Sequence, residues 1–386
     1  MKRRVRRPSS ANKYSRSAFD KRRRDPKLGP VMNEHTAISA AGTPASSPGR
    51  ARLEFPGFFD LQVNGFAGVD FNNPLVSSEQ VQHAIAAMRG TGVTRLLPTL
   101  ITSTFENFAR CARTLARIQD PAIAGIHMEG PYIAEADGPR GAHPRPHVRA
   151  AALDDFQRRQ EAAEGRIMLV TLAPEVDGAI PLIEHLVTAG IRVAIGHTAA
   201  APQQIRDAIR AGATLSTHLG NGCAGVLPRH PNFIWEQLAA DELMTSLIVD
   251  GHHLPPATVK TMIRAKTTAR TILVTDAVAA AGQPPGVYEM GGTKVTLSAD
   301  GQVRDPVGWW LAGSALTMDQ AVANTVKFTG LPVAEVLPMA STQPAEYMGM
   351  KPSGRVIAEW DAAAGCLRII QTLDGSNEVK ESLAGW

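Results

Sequence analysis

The chain has 386 residues, 44% of them hydrophobic, and no apolar run approaches the roughly 20 residues of a membrane-spanning helix. Its formal charge of +4 conceals a division: residues 1–28 hold twelve Lys or Arg against two acids, which leaves 28 basic and 34 acidic residues elsewhere, a balance of −6. Cys111, Cys223 and Cys366 are too scattered for a disulfide framework or a cysteine-based zinc site, and a reducing cytoplasm is the expected setting.

Residues 1–52 are basic and then rich in Ala, Ser, Pro and Gly, a composition that cannot form a core and reads as a leader outside the fold. Nucleic-acid binding through this tail is the weaker reading of its charge. From residue 57 strand and helix signals alternate. Strands are predicted at 58–63, 94–99, 123–128, 167–172, 192–195, 214–217, 246–250 and 271–275. Helices are predicted between them at 78–89, 104–118, 180–189, 202–211 and 256–266, with Ser77 or Ser78 capping the first. Eight strand signals separated by helices predict an α/β fold, a closed (β/α)8 TIM-type barrel, because closure leaves no unpaired strand edge. After Asp276 the pattern changes: 287–304 alternates like a hairpin, 318–328 and 333–340 read as helices, and 355–372 reads as strand. The expected organisation is a leader (1–52), a barrel (53–350) and a C-terminal accessory β segment (351–386), the accessory region being small and reduced.

Polar residues stand where the apolar runs end. Glu129, His197 and His218 follow the third, fifth and sixth predicted strands, and His252, His253 and Asp276 follow the seventh and eighth. In a parallel barrel such positions share one rim, where catalytic groups gather. One carboxylate and two imidazoles match a catalytic site with three protein ligands and a fourth position for water. A divalent ion there lowers the pKa of that water to about 7. Asp276 is placed to accept a proton and return it to a leaving nitrogen, and His253 to polarise a carbonyl. His127 is expected to face away from the site, and Gly313 to contact a ligand through backbone amides in a tight turn. No phosphate-binding loop and no nucleophile elbow occur.

Together, Pro56-Gly-Phe-Phe-Asp-Leu-Gln-Val-Asn-Gly65, His127-Met-Glu-Gly-Pro131, Gly196-His-Thr198, Thr217-His-Leu-Gly-Asn221, Val249-Asp-Gly-His-His253, Leu273-Val-Thr-Asp276 and Leu311-Ala-Gly-Ser-Ala-Leu-Thr-Met318 resemble the N-acetylglucosamine-6-phosphate deacetylases of the amidohydrolase superfamily. The resemblance implies hydrolysis of an N-acetyl group on an amino-sugar 6-phosphate, with Glu129, His197 and His218 as metal ligands and Asp276 as base and then acid. It implies that His253, His143 and Asn221 contact substrate. Arg229 would reach a phosphate in the neighbouring subunit, so a homodimer is implied. Gln62 and Asn64 stand where many amidohydrolases carry two histidines; amides are poor zinc ligands, so one metal per chain is expected, zinc first and iron as the alternative. The sequence departs from the family in three places. The strand-rich segment before the first barrel strand looks missing, Gly220-Asn-Gly-Cys223 changes the floor of the sugar pocket, and Pro231-Asn-Phe-Ile-Trp235 is unusual. The competing readings are a deacylase for another N-acyl sugar or small amide, and a metal-free binding barrel.

Overall fold

Val-, Ile- and Leu-rich runs covered on both faces form parallel sheets. The computed structural model, which describes residues 50–305 and 310–374, closes such runs into a barrel. In chain order the strands are β1 (Arg50–Pro56), β2 (Phe58–Val63), β3 (Gly65–Phe66), β4 (Val69–Asp70), β5 (Val93–Leu100), β6 (Ile126–Glu129), β7 (Ile167–Leu172) and β8 (Arg192–Ile195). They continue as β9 (Leu215–Ser216), β10 (Met244–Leu247), β11 (Thr271–Leu273), β12 (Gly286–Met290), β13 (Thr293–Leu297), β14 (Val303–Arg304), β15 (Arg355–Asp361) and β16 (Cys366–Leu373). Strands β2 and β5 to β11 form one eight-stranded sheet, each paired with the next. The ring closes just past β2 and β11, where Val63 and Ala277 form a parallel bridge and Asn64 N–H donates to the Ala277 carbonyl at 2.7 Å. Every residue of β2 is buried, as a strand between a filled barrel interior and a helical layer must be.

The helices obey the apolar spacing. Ser78–Arg89 turns Val81, Ala84, Ile85 and Met88 inward, and Ser77 caps it with a reciprocal bond to Gln80. Helices at Pro202–Arg210 and Pro256–Lys266 start on proline, whose missing N–H costs nothing in a first turn. Leu153–Ala162 is a helix that the pattern did not announce: it is dominated by charged residues, yet Arg159 is buried, paired with Asp155 at 2.8 Å and lying over the Phe108 ring.

Besides the short β3–β4 pair, two three-stranded antiparallel sheets accompany the barrel. In the first, β15 lies between β1 and β16, with Arg50 opposite Asp361 and Pro56 opposite Arg355. Residues 50–52, grouped with the leader on composition, therefore open a strand; the rest of that leader lies outside the described residues. Where the family resemblance led us to expect the preceding strands to be missing, one strand stands. The second sheet, β12–β13–β14, turns at Gly291 and Gly292 and packs Met290, Val295 and Leu297 in a separate small core with Ile101 and Val278.

Candidate active site

The strand ends converge. Glu129 closes β6, His197 lies two residues beyond β8, and His218 two residues beyond β9. Glu129 Oε1 lies 3.2 Å from His197 Nε2 and 3.0 Å from His218 Nε2, and the two imidazole nitrogens are 3.2 Å apart. All three side chains are buried. His197, His218 and Asp276 have φ of 50°, 29° and 51°, left-handed backbone that costs non-glycine residues about 1–2 kcal/mol each. The strand-end turns hold them there and aim their side chains at one point.

These residues fit a divalent ion. Ligand atoms about 2.1 Å from a tetrahedral zinc lie about 3.4 Å from one another, close to the spacing of the three donors. His197 Nδ1 bonds the Pro139 carbonyl at 2.9 Å, which places the ring proton on Nδ1 and frees the Nε2 lone pair. A second, looser cluster of Glu129, His143 and His197 also offers donors within 4.8 Å of one another. His143 Nε2 is 3.7 Å from Glu129 Oε2, and its Nδ1 bonds the Thr102 hydroxyl at 2.8 Å. The triad containing His218 is the tighter of the two.

Burial acts to raise the Glu129 pKa, but hydrogen bonds and charge from His197 and His218 overcome it and hold the carboxyl well below its usual range. For His218, burial opposes the proton while Glu129 favours it, and the net shift is upward. Burial, followed by the charge of His197, pushes His143 well below the ordinary imidazole value.

Asp276 sits beside this cluster. Its Oδ1 accepts from Asn64 Nδ2 at 2.6 Å and from Gln62 Nε2 at 3.2 Å, and Gln62 Nε2 also donates to Glu129 Oε1 at 2.9 Å. Gln62 and Asn64 thus act as hydrogen-bond donors that hold two carboxylates near each other. Burial, then the nearby Glu129, pushes the Asp276 pKa up to about 6. His253 Nδ1 donates to Asp250 Oδ2 at 2.6 Å, which orients the ring and holds Asp250 below its usual pKa against the effect of burial.

Glu129, His143, His197, His218, Asn221, His253, Asp276 and Gly313 all line one cavity of about 450 Å³. Gly313 is required there: its φ is 67°, and a Cβ would meet Val278 Cγ1 at 2.3 Å. Arg229 is exposed and does not line its own chain's cavity. His127 does not face away. Two positions before Glu129 it shares that residue's side of the strand, and its ring bonds Leu61 O at 3.1 Å and Thr171 Oγ1 at 2.8 Å. Leu61 lies on β2, two strands from β6, so the ring crosses the barrel interior below the site.

Two acids within the quoted motifs, Asp60 and Asp250, carry no role in the sequence reading. Asp250 stands three residues before His253, and the Asp60 carboxylate accepts from Thr275 Oγ1 at 2.5 Å, 215 residues away, with burial pushing its pKa up to about 7.

Comparison with known proteins agrees with the fold. An amidohydrolase family model matches residues 54–378. An N-acetylgalactosamine-6-phosphate deacetylase of Escherichia coli O157:H7 is 35% identical over 78% of this chain and 79% of its own length. An N-acetylglucosamine-6-phosphate deacetylase of Bacillus subtilis is 33% identical over 76% of this chain and 75% of its own length. Among solved structures, a mutant N-acetyl-D-glucosamine-6-phosphate deacetylase from Mycobacterium smegmatis, in complex with N-acetyl-D-glucosamine-6-phosphate, aligns with a TM-score of 0.79 at 31% identity, covering 88% of this chain and 90% of that one.

Proposed function

The chain belongs to the amidohydrolase family and is a hydrolytic enzyme, and we propose that it removes the acetyl group of N-acetylglucosamine 6-phosphate to give glucosamine 6-phosphate and acetate. The observation that carries this reading is the convergence of Glu129, His197 and His218 within 3.0–3.2 Å of one another, beside a buried Asp276 in a cavity sized for a small sugar. A divalent ion, with zinc favoured by the carboxylate–imidazole donor set, supplies Lewis acidity and lowers the pKa of a water to about 7.

The chain's own residues do the rest. Asp276 takes the proton of the attacking water as its oxygen adds to the acetyl carbonyl carbon. His253, its ring fixed by Asp250, presents Nε2 towards the oxygen on which charge develops. Asp276 then delivers the proton to the amide nitrogen as the C–N bond breaks. His143 and Asn221 contact the sugar, and the backbone at Gly313 forms part of the same wall.

Arg229 reaches the phosphate bound in a second copy of the chain. Its exposure outside its own cavity supports this, as do Val226 and Trp235, 89% and 51% exposed on the same stretch. Light scattering gives the oligomeric state, and a monomer would exclude it. The unpaired cysteines suit a cytoplasmic enzyme. Among the described residues no helix is long and apolar enough to cross a membrane.

A second reading, N-acetylgalactosamine 6-phosphate as substrate, is favoured by the 35% identical relative and by a pocket floor of Gly220, Gly222 and half-buried Cys223. Acetate release from both epimers, with and without phosphate, by protein of measured metal content decides between the readings. No acetate from any N-acetylhexosamine phosphate would end both.

A further inference from the structure

The barrel has one weak seam. Each barrel strand from β2 to β10 is joined to the next by a backbone ladder, and so is β10 to β11. Between β11 and β2 no ladder forms among the described residues. The bridge there, Val63 to Ala277, lies at the last residue of β2 and beyond the end of β11.

A carboxylate stands in for the missing rungs. Asp60, fully buried on β2, accepts at Oδ1 from the N–H of Gln62 at 3.2 Å and from that of Thr275 at 3.3 Å. Its Oδ2 accepts from the Thr275 hydroxyl at 2.5 Å. None of these donors is a cation. Burying a carboxyl without a countercharge costs stability, and an apolar side chain would fill the same space more cheaply. What the carboxyl adds is a two-point grip on Thr275, across the seam.

Thr275 immediately precedes Asp276. Asp276 N–H donates to Gln62 O at 2.9 Å, and its carbonyl accepts from Ser314 N–H at 2.9 Å. Thr275 O accepts from Ser314 Oγ at 2.5 Å. The left-handed turn at Asp276, with φ of 51°, is thus fastened on both sides. Asp60 holds Thr275 and Gln62 together, and Gln62 is itself a side-chain donor to Asp276 Oδ1. Glu129, His197 and His218 extend from β6, β8 and β9, none of which adjoins β2 or β11.

We propose that Asp60 is a positioning residue for the proton carrier: through Thr275 it clasps the open seam and fixes Asp276 relative to the acetyl carbon, touching neither substrate nor metal. The inference rests on the hydrolytic reading above, in which Asp276 moves the proton. Loss of the clasp displaces the base and leaves the Glu129–His197–His218 triad and the sugar contacts in place. A displacement of about 1 Å at a reacting group can cost about 100-fold in rate.

The test uses the full-length, metal-loaded enzyme with N-acetylglucosamine 6-phosphate, or its galacto epimer where that reacts faster. Acetate release gives kcat and KM, and metal content is measured on each variant. Asp60→Asn keeps an oxygen for the two N–H donors but turns an NH2 group toward the threonine hydroxyl. It should lower kcat roughly 10- to 100-fold, with KM within about threefold and metal content unchanged. Thr275→Val, which keeps the shape and removes the hydroxyl, should do the same, and Thr275→Ser should retain most of the rate. In the Asp276→Asn background, Asp60→Asn should cost less than about twofold more, because its effect passes through the group already lost. A kcat within about threefold of wild type in either Asp60→Asn or Thr275→Val overturns the assignment. So does loss of metal in step with kcat, or an equal further loss in the Asp276→Asn background. Should Asp60→Asn fail to fold, Thr275→Val, alone and combined with Asp276→Asn, decides by the same criteria. A wild type inactive on every N-acetylhexosamine phosphate instead removes the reading underneath, and this inference with it.

Discussion

Replacing Asp276 by Asn isolates the proton transfer from everything else the site does. The side chain is 9% exposed, and Oδ1 is the atom held by Asn64 at 2.6 Å and Gln62 at 3.2 Å. Asparagine keeps an oxygen at that position, so both amide donors stay satisfied. It also tolerates the φ of 51° better than other non-glycine residues. The exchange removes a buried carboxyl whose pKa is pushed up to about 6 by burial and by Glu129, so the folded state loses no charge that it favoured. Stability should therefore stay within about 1 kcal/mol, and metal content should be unchanged. The side chain can no longer take a proton from water or hand one to nitrogen. Loss of a positioned base typically costs 10²- to 10⁴-fold, or about 3–5 kcal/mol of barrier. Acetate release at pH 7.5, metal content by mass spectrometry and a thermal melt on the same preparation give all three quantities. A kcat within about threefold of wild type at full metal content would show that the proton does not pass through Asp276.

Other perturbations probe the support. In Gly222→Ala the new Cβ would lie 2.8 Å from His197 Nδ1 on a backbone with φ of 53°, so the ring must move off Pro139; metal affinity should fall roughly 10- to 100-fold in a competition titration with a chelator. Asp250→Asn leaves His253 without its orienting carboxylate, and kcat should drop by about tenfold or more with metal retained; an unaltered kcat would show that the Asp250 charge does not act on His253 in the reaction. Asp70, 7% exposed, has its pKa raised by burial from 3.8 to about 6. The native state therefore holds this proton more tightly than the unfolded chain, and the contribution to stability falls by about 3 kcal/mol as pH rises from below 4 to above 6. Urea unfolding across that window should show a shallower pH slope in Asp70→Asn than in wild type, and equal slopes would contradict the shift.

The barrel and its rim were legible because both rest on local signals. An apolar run of four to six residues marks a strand wherever its partner lies, and a His or Glu just beyond it marks the rim. His253 came with the same segments, Gly313 with a turn signal and His143 with the family resemblance, and all three line the same cavity. What stayed hidden depends on separation in the chain. Asp60 meets Thr275 across the closure of the barrel, and the whole ring separates β1 from β15 in the sequence. Arg50–Pro56 carries just two large apolar side chains, Leu53 and Phe55, before its final proline, too few to rise above the composition around it. Helix Leu153–Ala162 was concealed by charge, because Arg159 packs inward as a hydrophobe would. His127 was misread through the period itself: residues two apart on a strand share a side.

The pairing of β1 with β15 sets an order of events on the ribosome. Arg50 and its counterpart Asp361 are 311 positions apart, so at about 5–20 residues per second the first strand waits roughly 15–60 seconds for its mate. Through that interval its backbone donors are bare and open to any nascent neighbour. The alternating Arg50, Arg52 and Glu54 put charge on such a premature partner, as gatekeeping residues do, and make mispairing costly until the last portion of the polypeptide emerges.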